Sequence, residues 1–339
     1  MKTLSYPEYG HLAIAEQETP HIAPDEVLLQ VAACGVCGSE LETFKTRSPR
    51  RQPPLVMGHE FCGTIVEIGS DVEGWQIGQQ VVSNSLVPCD DCVRCRRGDT
   101  HLCANRQIFG MHRPGAFAQS VNVPARCLLE WPQGLPASAA CLAEPMGNGI
   151  HMVHLTEHLK PQRVLVIGAG PIGLMAAGAY RVLAGAEITV ADLSDERLEA
   201  ACRVGATTVI NSRHEDVVQI VRDATEGEGV DLVIDAVGAS VTKVQSLHAA
   251  RPGGAALWIG LHENAVSFDS YDITLPERQI LGTYAATMND LQEAISLLAS
   301  SQIDLSWVQS FSLDAGVEAF ERMLAAQGSD IKAVLTPGE

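Results

Sequence analysis

The chain has 339 residues, 46% of them hydrophobic and 19% charged, a balance that fits a well-packed protein of about two domains. Asp and Glu number 41 against 23 Lys and Arg, a formal net charge of −18, and this argues against nucleic acid as a partner because phosphate binding needs clustered cations. The N-terminus has no basic stretch followed by an apolar run, and no uncharged run of about 18 apolar residues follows, so a cytoplasmic protein with no membrane partner is expected.

In chain order, the first 145 or so residues carry short β-type runs at 26–33, 63–68, 80–83 and 117–123, punctuated by Gly and Pro. Such spacing predicts a small, irregular, largely antiparallel β domain. Arg47, Arg50 and Arg51 form a short basic patch that reads as a solvated loop, or as an anion site should the substrate carry a phosphate. An Ala-rich helix is expected around 136–149. From Pro161 the pattern repeats strand, turn and helix: strands at 164–167, 188–191, 208–210, 232–236, 255–259 and 279–283, with helices at 172–184, 195–204 and 217–225. This alternation implies a doubly wound α/β domain with a parallel sheet. From Met288 two helical patterns and a strand at 332–335 remain, free to return to the first domain.

Cys89, Cys92, Cys95 and Cys103 stand as Cys-x2-Cys-x2-Cys-x7-Cys in a polar stretch. Four thiolates on so short a tether can close around one tetrahedral Zn²⁺. Closely spaced cysteines are awkward disulfide partners, and nothing points to an oxidising compartment. With four thiolates the site is filled, so it is read as structural. Four unrelated buried cysteines would fit poorly beside Asp90, Asp91, Arg94, Arg96 and Arg97. The scattered Cys34, Cys62, Cys127, Cys141 and Cys202 have apolar neighbours and read as small buried hydrophobes.

Gly168-Ala169-Gly170-Pro171-Ile172-Gly173 follows a predicted strand and opens a predicted helix, and Asp192 closes the next strand. This is the dinucleotide fingerprint in its required context. The glycines allow the tight turn and the close approach of backbone to a pyrophosphate, whose charge the helix N-terminus favours. Asp192 would bond the ribose hydroxyls and repel a 2′-phosphate, so NAD is favoured over NADP. Arg197 is the residue that would instead accommodate that phosphate.

Cys37-Gly38-Ser39 and Gly58-His59-Glu60 supply a thiol, an imidazole and a carboxylate beside flexible glycines. With Glu144 they make a Cys, His, Glu set with one position open, as catalytic zinc requires. The alternative at this point is a satisfied His–Glu pair and a packed cysteine.

Cys34-Gly-Val-Cys-Gly-Ser-Glu40, Gly58-His-Glu60, the four-cysteine lobe, Ala143-Glu-Pro145, Val166-Ile-Gly-Ala-Gly-Pro-Ile-Gly173 and Asp235-Ala-Val-Gly238 occur in a telling order. Over nearly the whole chain the sequence resembles the zinc-dependent medium-chain dehydrogenases of the alcohol dehydrogenase superfamily. The Glu-Pro pair makes it most similar to the sorbitol or polyol dehydrogenase branch. The resemblance implies a mostly β, GroES-like catalytic domain from residues 1–146 and 286–339, with a structural zinc lobe at about 86–106, and a Rossmann domain at 147–285. It implies Cys37, His59 and Glu144 as catalytic zinc ligands, Glu60 behind them or exchanging with a ligand water, Ser39 as acceptor of the substrate proton, and Val237 beside the cofactor. Two zinc ions per chain and NAD are the implied cofactors.

The implied reaction is hydride transfer from a secondary alcohol or polyol to NAD⁺, giving a ketone or ketose. The rivals are a sugar-phosphate dehydrogenase of the galactitol-phosphate kind, a threonine dehydrogenase, and a catalytically silent NAD-binding protein. A homotetramer is implied, with a dimer as the alternative. Glu40 stands where the family commonly has Asp to orient the ligand histidine, and Glu42 stands where many members have a relay histidine. Phe44, Phe109, His112 and His262 are candidate pocket walls, each as readily explained by packing.

Overall fold

A computed structural model of the chain describes residues 1–325 and 329–338. Two compact units divide it. One holds Met1–Glu144, Thr287–Ser301 and the chain from Leu305 onward, the other Pro145–Ala286 and Gln302–Asp304. Gln302–Asp304, outside the span expected for the second domain, belongs there because Ile303 packs against Gly178 and the Gln302 carbonyl accepts a hydrogen bond from Arg181. Residues 326–328 and 339, which fall in the expected 286–339 segment, lie outside the described residues.

In the first unit, strand Glu26–Gly35 organises the main sheet. One of its edges carries Glu60–Ile68 antiparallel along most of its length. The other edge carries Ser120–Pro124 beside its first half and the C-terminal strand Lys332–Thr336 beside its last two residues. Strand Val308–Ser312 pairs in parallel beyond Lys332–Thr336. Buried Tyr6, Phe117 and Phe320 anchor the core. Phe44 joins them, its ring 5.9 Å from Tyr6 and 5.6 Å from Phe320, and Phe109 packs edge-on against Phe61 at 5.2 Å. Both phenylalanines are therefore packing residues. His112 Nδ1 accepts from the Ile108 amide at 3.1 Å, and His262 is exposed.

In the second unit six parallel strands run in the order Thr208–Asn211, Glu187–Asp192, Arg163–Ile167, Val230–Asp235, Ala250–Trp258, Gln279–Gly282. This is the doubly wound order, with its reversal between the third and fourth of these strands. The central strands read as continuous apolar runs because helices cover both faces: Val164, Leu165 and Val166 are fully buried, as are Leu232, Val233 and Ile234. Helix Asp195–Val204 turns Leu198, Ala201 and Val204 inward. Cys202 on the same helix is exposed, which corrects its reading as a buried hydrophobe.

Among the elements that escape the sequence patterns, besides strands Lys2–Glu8 and His11–Glu16, are two helices and one later strand. Helix Gly38–Thr46 buries Glu40 and Thr43, and helix Ser240–Ala249 buries Lys243 and Ser246 along with Leu247. An apolar stripe cannot reveal a helix whose inner face is polar. Strand Val308–Ser312 has no fully buried residue and so shows no alternation. The expected helix at 136–149 forms instead as Ala137–Ala140 followed by Ala143–Thr156. No described helix is long and apolar enough to cross a membrane.

The turn after Arg163–Ile167 depends on close backbone approach. A Cβ at Gly173 would sit 1.8 Å from the Gly168 carbonyl oxygen, so Gly173→Ala must push helix Pro171–Ala179 off the strand. Overpacking of this kind costs about 1–3 kcal/mol. The variant is expected to melt several degrees lower in a thermal scan, and an unchanged melting point would refute the close approach.

Candidate functional site

Cys89, Cys92, Cys95 and Cys103 bring their sulfur atoms within 4.8 Å of one another. The Cys92–Cys95, Cys92–Cys103 and Cys89–Cys103 separations are 3.5, 3.9 and 3.4 Å. A disulfide needs about 2.05 Å, whereas the edge of a tetrahedron of sulfurs around zinc is about 3.8 Å from the usual 2.3 Å bond. Backbone N–H groups of Cys95 and Ala104 pull the Cys92 thiol down to about 6, which favours the thiolate. The lobe is tied to the rest of its unit through Arg126, which contacts Asp25 and Asp90 at 2.9 Å each.

The second group is Cys37, His59 and Glu60, whose ligand-type atoms also lie within 4.8 Å of one another. Cys37 sits at the N-terminus of helix Gly38–Thr46, and His59 precedes strand Glu60–Ile68. One carboxylate joins these two segments. Glu40, fully buried, accepts from the Cys37 amide at 3.0 Å, the Gly58 amide at 2.8 Å and, through the same oxygen as the latter, makes a 2.9 Å hydrogen bond with His59 Nδ1. Burial opposes its charge, but His59, Arg51 and these hydrogen bonds outweigh that and hold Glu40 at about 2. The longer side chain, in place of the family's Asp, thus spans both segments and leaves His59 Nε2 for a metal.

Glu60, expected behind the ligands, is the carboxylate inside this group, while Glu144 lies outside it. Glu60 is nonetheless committed elsewhere: its Oε2 pairs with the buried ammonium of Lys332, which also donates to the Val36 carbonyl at 2.9 Å. Glycine at 35 makes room for that pair, since a Cβ there would lie 2.2 Å from Glu60 Oε2 and 3.0 Å from Lys332 Cε. Glu144 accepts a 3.2 Å hydrogen bond from Ser85 Oγ. Burial pushes its carboxyl up; nearby Glu60 adds to this, while His59 and Lys332 oppose it. Ser39 Oγ lies 3.4 Å from Cys37 Sγ.

Lys332 and Ser85 had no functional reading in the sequence. Lys332 left a trace, a lone cation opening an otherwise apolar strand. Arg51 is a correction: it is 2% exposed, bonded to Ser39, Thr43 and Gly110, and so is neither a solvated residue nor a free anion binder. Arg47 and Arg50 are exposed.

At the glycine turn of the second unit, Gly168 adopts φ +101° beneath Val237, whose Cγ2 a Cβ would meet at 2.7 Å. A Cβ on Gly170 would meet nothing within 4 Å, an open cradle at the N-terminus of helix Pro171–Ala179 of the kind a pyrophosphate fills. Pro171 takes the first helical position, and Ile172 follows it. Asp192 accepts from the amides of Ala169 at 2.7 Å and Ser194 at 3.0 Å, so it braces the turn as well as closing its strand. Arg197, half-buried, gives its amide to the Ser194 cap.

Residues 23–133 match the family described as alcohol dehydrogenase GroES-like domain, and residues 171–300 that described as zinc-binding dehydrogenase. An L-threonine 3-dehydrogenase of Pyrococcus abyssi is 35% identical over 97% of this chain and 96% of its own. This chain belongs to the zinc-type medium-chain alcohol dehydrogenases. The dehydrogenase also superposes on the structure of a Sinorhizobium meliloti zinc-binding dehydrogenase bound to NADP, with a TM-score of 0.92 and 29% identity over 99% of both chains. It superposes on Escherichia coli galactitol-1-phosphate dehydrogenase with a TM-score of 0.92 and 27% identity, covering 99% of this chain and 100% of that one.

Because Glu40 accepts from three N–H groups at the dehydrogenase's Cys37–His59 junction, Glu40→Gln replaces one acceptor by a donor. Zinc affinity is expected to fall about 10–100-fold in chelator competition. An unaltered affinity would show that Glu40 does not orient His59.

Proposed function

We propose that the enzyme oxidises a secondary alcohol to a ketone with NAD⁺, using zinc held by Cys37, His59 and Glu144, and that Cys89, Cys92, Cys95 and Cys103 hold a second, structural zinc. The observation that carries the reading is the convergence of Cys37 and His59 within 4.8 Å on a buried carboxylate, Glu40, that orients the imidazole. Glu60 is tied to Lys332, and the electrostatic link between Glu144 and His59 supports Glu144 as the carboxylate of the set. Zinc bound there supplies a Lewis acid that lowers the pKa of an alcohol, and NAD⁺ bound at the glycine turn supplies the hydride acceptor.

The chain's own residues supply the rest. Ser39, beside Cys37 and exposed, takes the proton of the substrate hydroxyl and gives its own to water. Ser85 steadies Glu144 through its hydroxyl. Asp192 places a negative charge where a ribose would lie and so disfavours a 2′-phosphate, which supports NAD over NADP.

For the substrate, a specific observation favours L-threonine, itself a secondary alcohol, over a polyol. Relatives between 30% and 37% identical to this chain bear the name L-threonine 3-dehydrogenase. The sugar-phosphate reading loses one of its three arginines, since Arg51 is buried and spent on neighbours. A homotetramer remains the proposed assembly.

NAD⁺ reduction across L-threonine, polyols and sugar phosphates tests the reading, with L-threonine expected to give the highest kcat/KM; no turnover of any secondary alcohol would sink it. Asp192→Ala should raise NADP⁺ use relative to NAD⁺, and an unaltered ratio would remove Asp192 from the ribose site. Metal analysis should give two zinc ions per wild-type chain and one in Cys92→Ala, the latter with a lower melting point.

A further inference from the structure

Arg51 is the second most telling buried charge of the first unit, and its partners are unusual. The guanidinium makes four hydrogen bonds, all to neutral oxygens: Nε to the Gly110 carbonyl at 3.0 Å, Nη1 to the Ser39 carbonyl at 2.9 Å and to Thr43 Oγ1 at 3.1 Å, and Nη2 to Ser39 Oγ at 3.1 Å. Burying a cation is costly, and hydrogen bonds to carbonyls would suffice to offset that cost. One N–H is spent instead on the hydroxyl next to Cys37.

That bond has a directional consequence. A guanidinium only donates, so Ser39 Oγ must accept from Arg51 with one lone pair, and the Ser39 proton must point away from it. The acceptor on that side is Cys37 Sγ, 3.4 Å away. Among the described residues nothing else takes up the second lone pair of Oγ. Arg51 therefore fixes the hydroxyl oxygen as a proton acceptor with one defined vacant position.

We propose that Arg51 is a positioning residue for the proton step, holding Ser39 Oγ so that it receives the substrate's hydroxyl proton. This rests on the functional reading above. In the step one proton arrives on Oγ from the alcohol and the original Ser39 proton leaves to water, which reaches this exposed residue. Arg51 neither gains nor loses a proton; it cannot accept one, so the exit route does not run through it. Its charge meets the negative charge that builds on Oγ if departure runs ahead of arrival. Thr43 Oγ1 and the Gly110 carbonyl in turn hold Arg51, which makes them part of the same support.

The test is a double-mutant cycle of Arg51→Lys and Ser39→Ala, read by steady-state kinetics with the best substrate of the panel. Arg51→Lys is expected to lower kcat about tenfold or more, part of the 10²–10⁴ that positioned proton transfer supplies, with KM within about twofold and a larger solvent deuterium isotope effect. In the Ser39→Ala background the same change should cost nothing further, since the residue it positions is gone. Equal losses in both backgrounds would make Arg51 a structural residue only and overturn the proposal. A second readout needs no turnover: in a crystal structure of metal-free Arg51→Lys, Ser39 Oγ should leave its place beside Cys37 Sγ, and an unmoved hydroxyl would also overturn it. Should Arg51→Lys fail to fold, Thr43→Val, which removes one of the guanidinium's anchors, carries both measurements. If the wild type oxidises none of the panel, the functional reading falls by itself, and the crystal structures still decide whether Arg51 holds Ser39.

Discussion

The acceptance of three N–H groups by one buried carboxylate, that of Glu40, is the constraint on which the candidate centre depends. Cys37 and His59 come from segments 22 residues apart in sequence, and neither a loop nor a strand end would hold them in register unaided. Glu40 bonds the amide that begins its own helix, the amide of Gly58 and the imidazole of His59, so one side chain sets both the backbone and the tautomer of the ligand. Removing one partner of such a buried charged network typically costs about 3–5 kcal/mol. The network stays affordable because Arg51, itself buried, lies close enough to favour the carboxylate.

A second buried pair, Glu60 with Lys332, depends on topology. The two residues are 272 positions apart and meet because the C-terminal strand pairs with Cys34 and Gly35 on one edge while Glu60 pairs with Gly35 on the other. Only glycine at 35 leaves room above the backbone for both side chains. The pairing occupies the carboxylate that lies within 4.8 Å of the Cys37 and His59 ligand-type atoms. The last strand of the chain thereby sets the charge environment of Glu60, beside Cys37 and His59.

The four-cysteine lobe and the glycine turn rest on local physics and were legible as such. A Cys-x2-Cys-x2-Cys tether confines its sulfurs whatever surrounds it, and a strand ending in Gly-x-Gly-x-x-Gly has few conformations open to it. The parallel sheet was readable for a related reason: strands covered on both faces must be apolar throughout. Much of what escaped reading lies where the fold buries polar side chains. Helix Gly38–Thr46 turns Glu40 and Thr43 inward, helix Ser240–Ala249 turns Lys243 and Ser246 inward, and Arg51 looks like surface until Gly110 and Ser39 are seen around it.

By itself, then, the sequence determined the strand and helix alternation of the parallel sheet, the clustering of four cysteines and the glycine turn, because each is encoded over short spans by periodicity or spacing; the grouping of Cys37, His59 and Glu144 came from the family resemblance. Tertiary structure alone decided that Glu60 lies beside Cys37 and His59 yet pairs with Lys332, that Glu40 couples the Cys37 and His59 segments, and that Arg51 donates to Ser39. Those outcomes depend on where a long-range strand pairing and a buried charge come to rest, and burial of a charge is favoured or forbidden by neighbours that no local window contains.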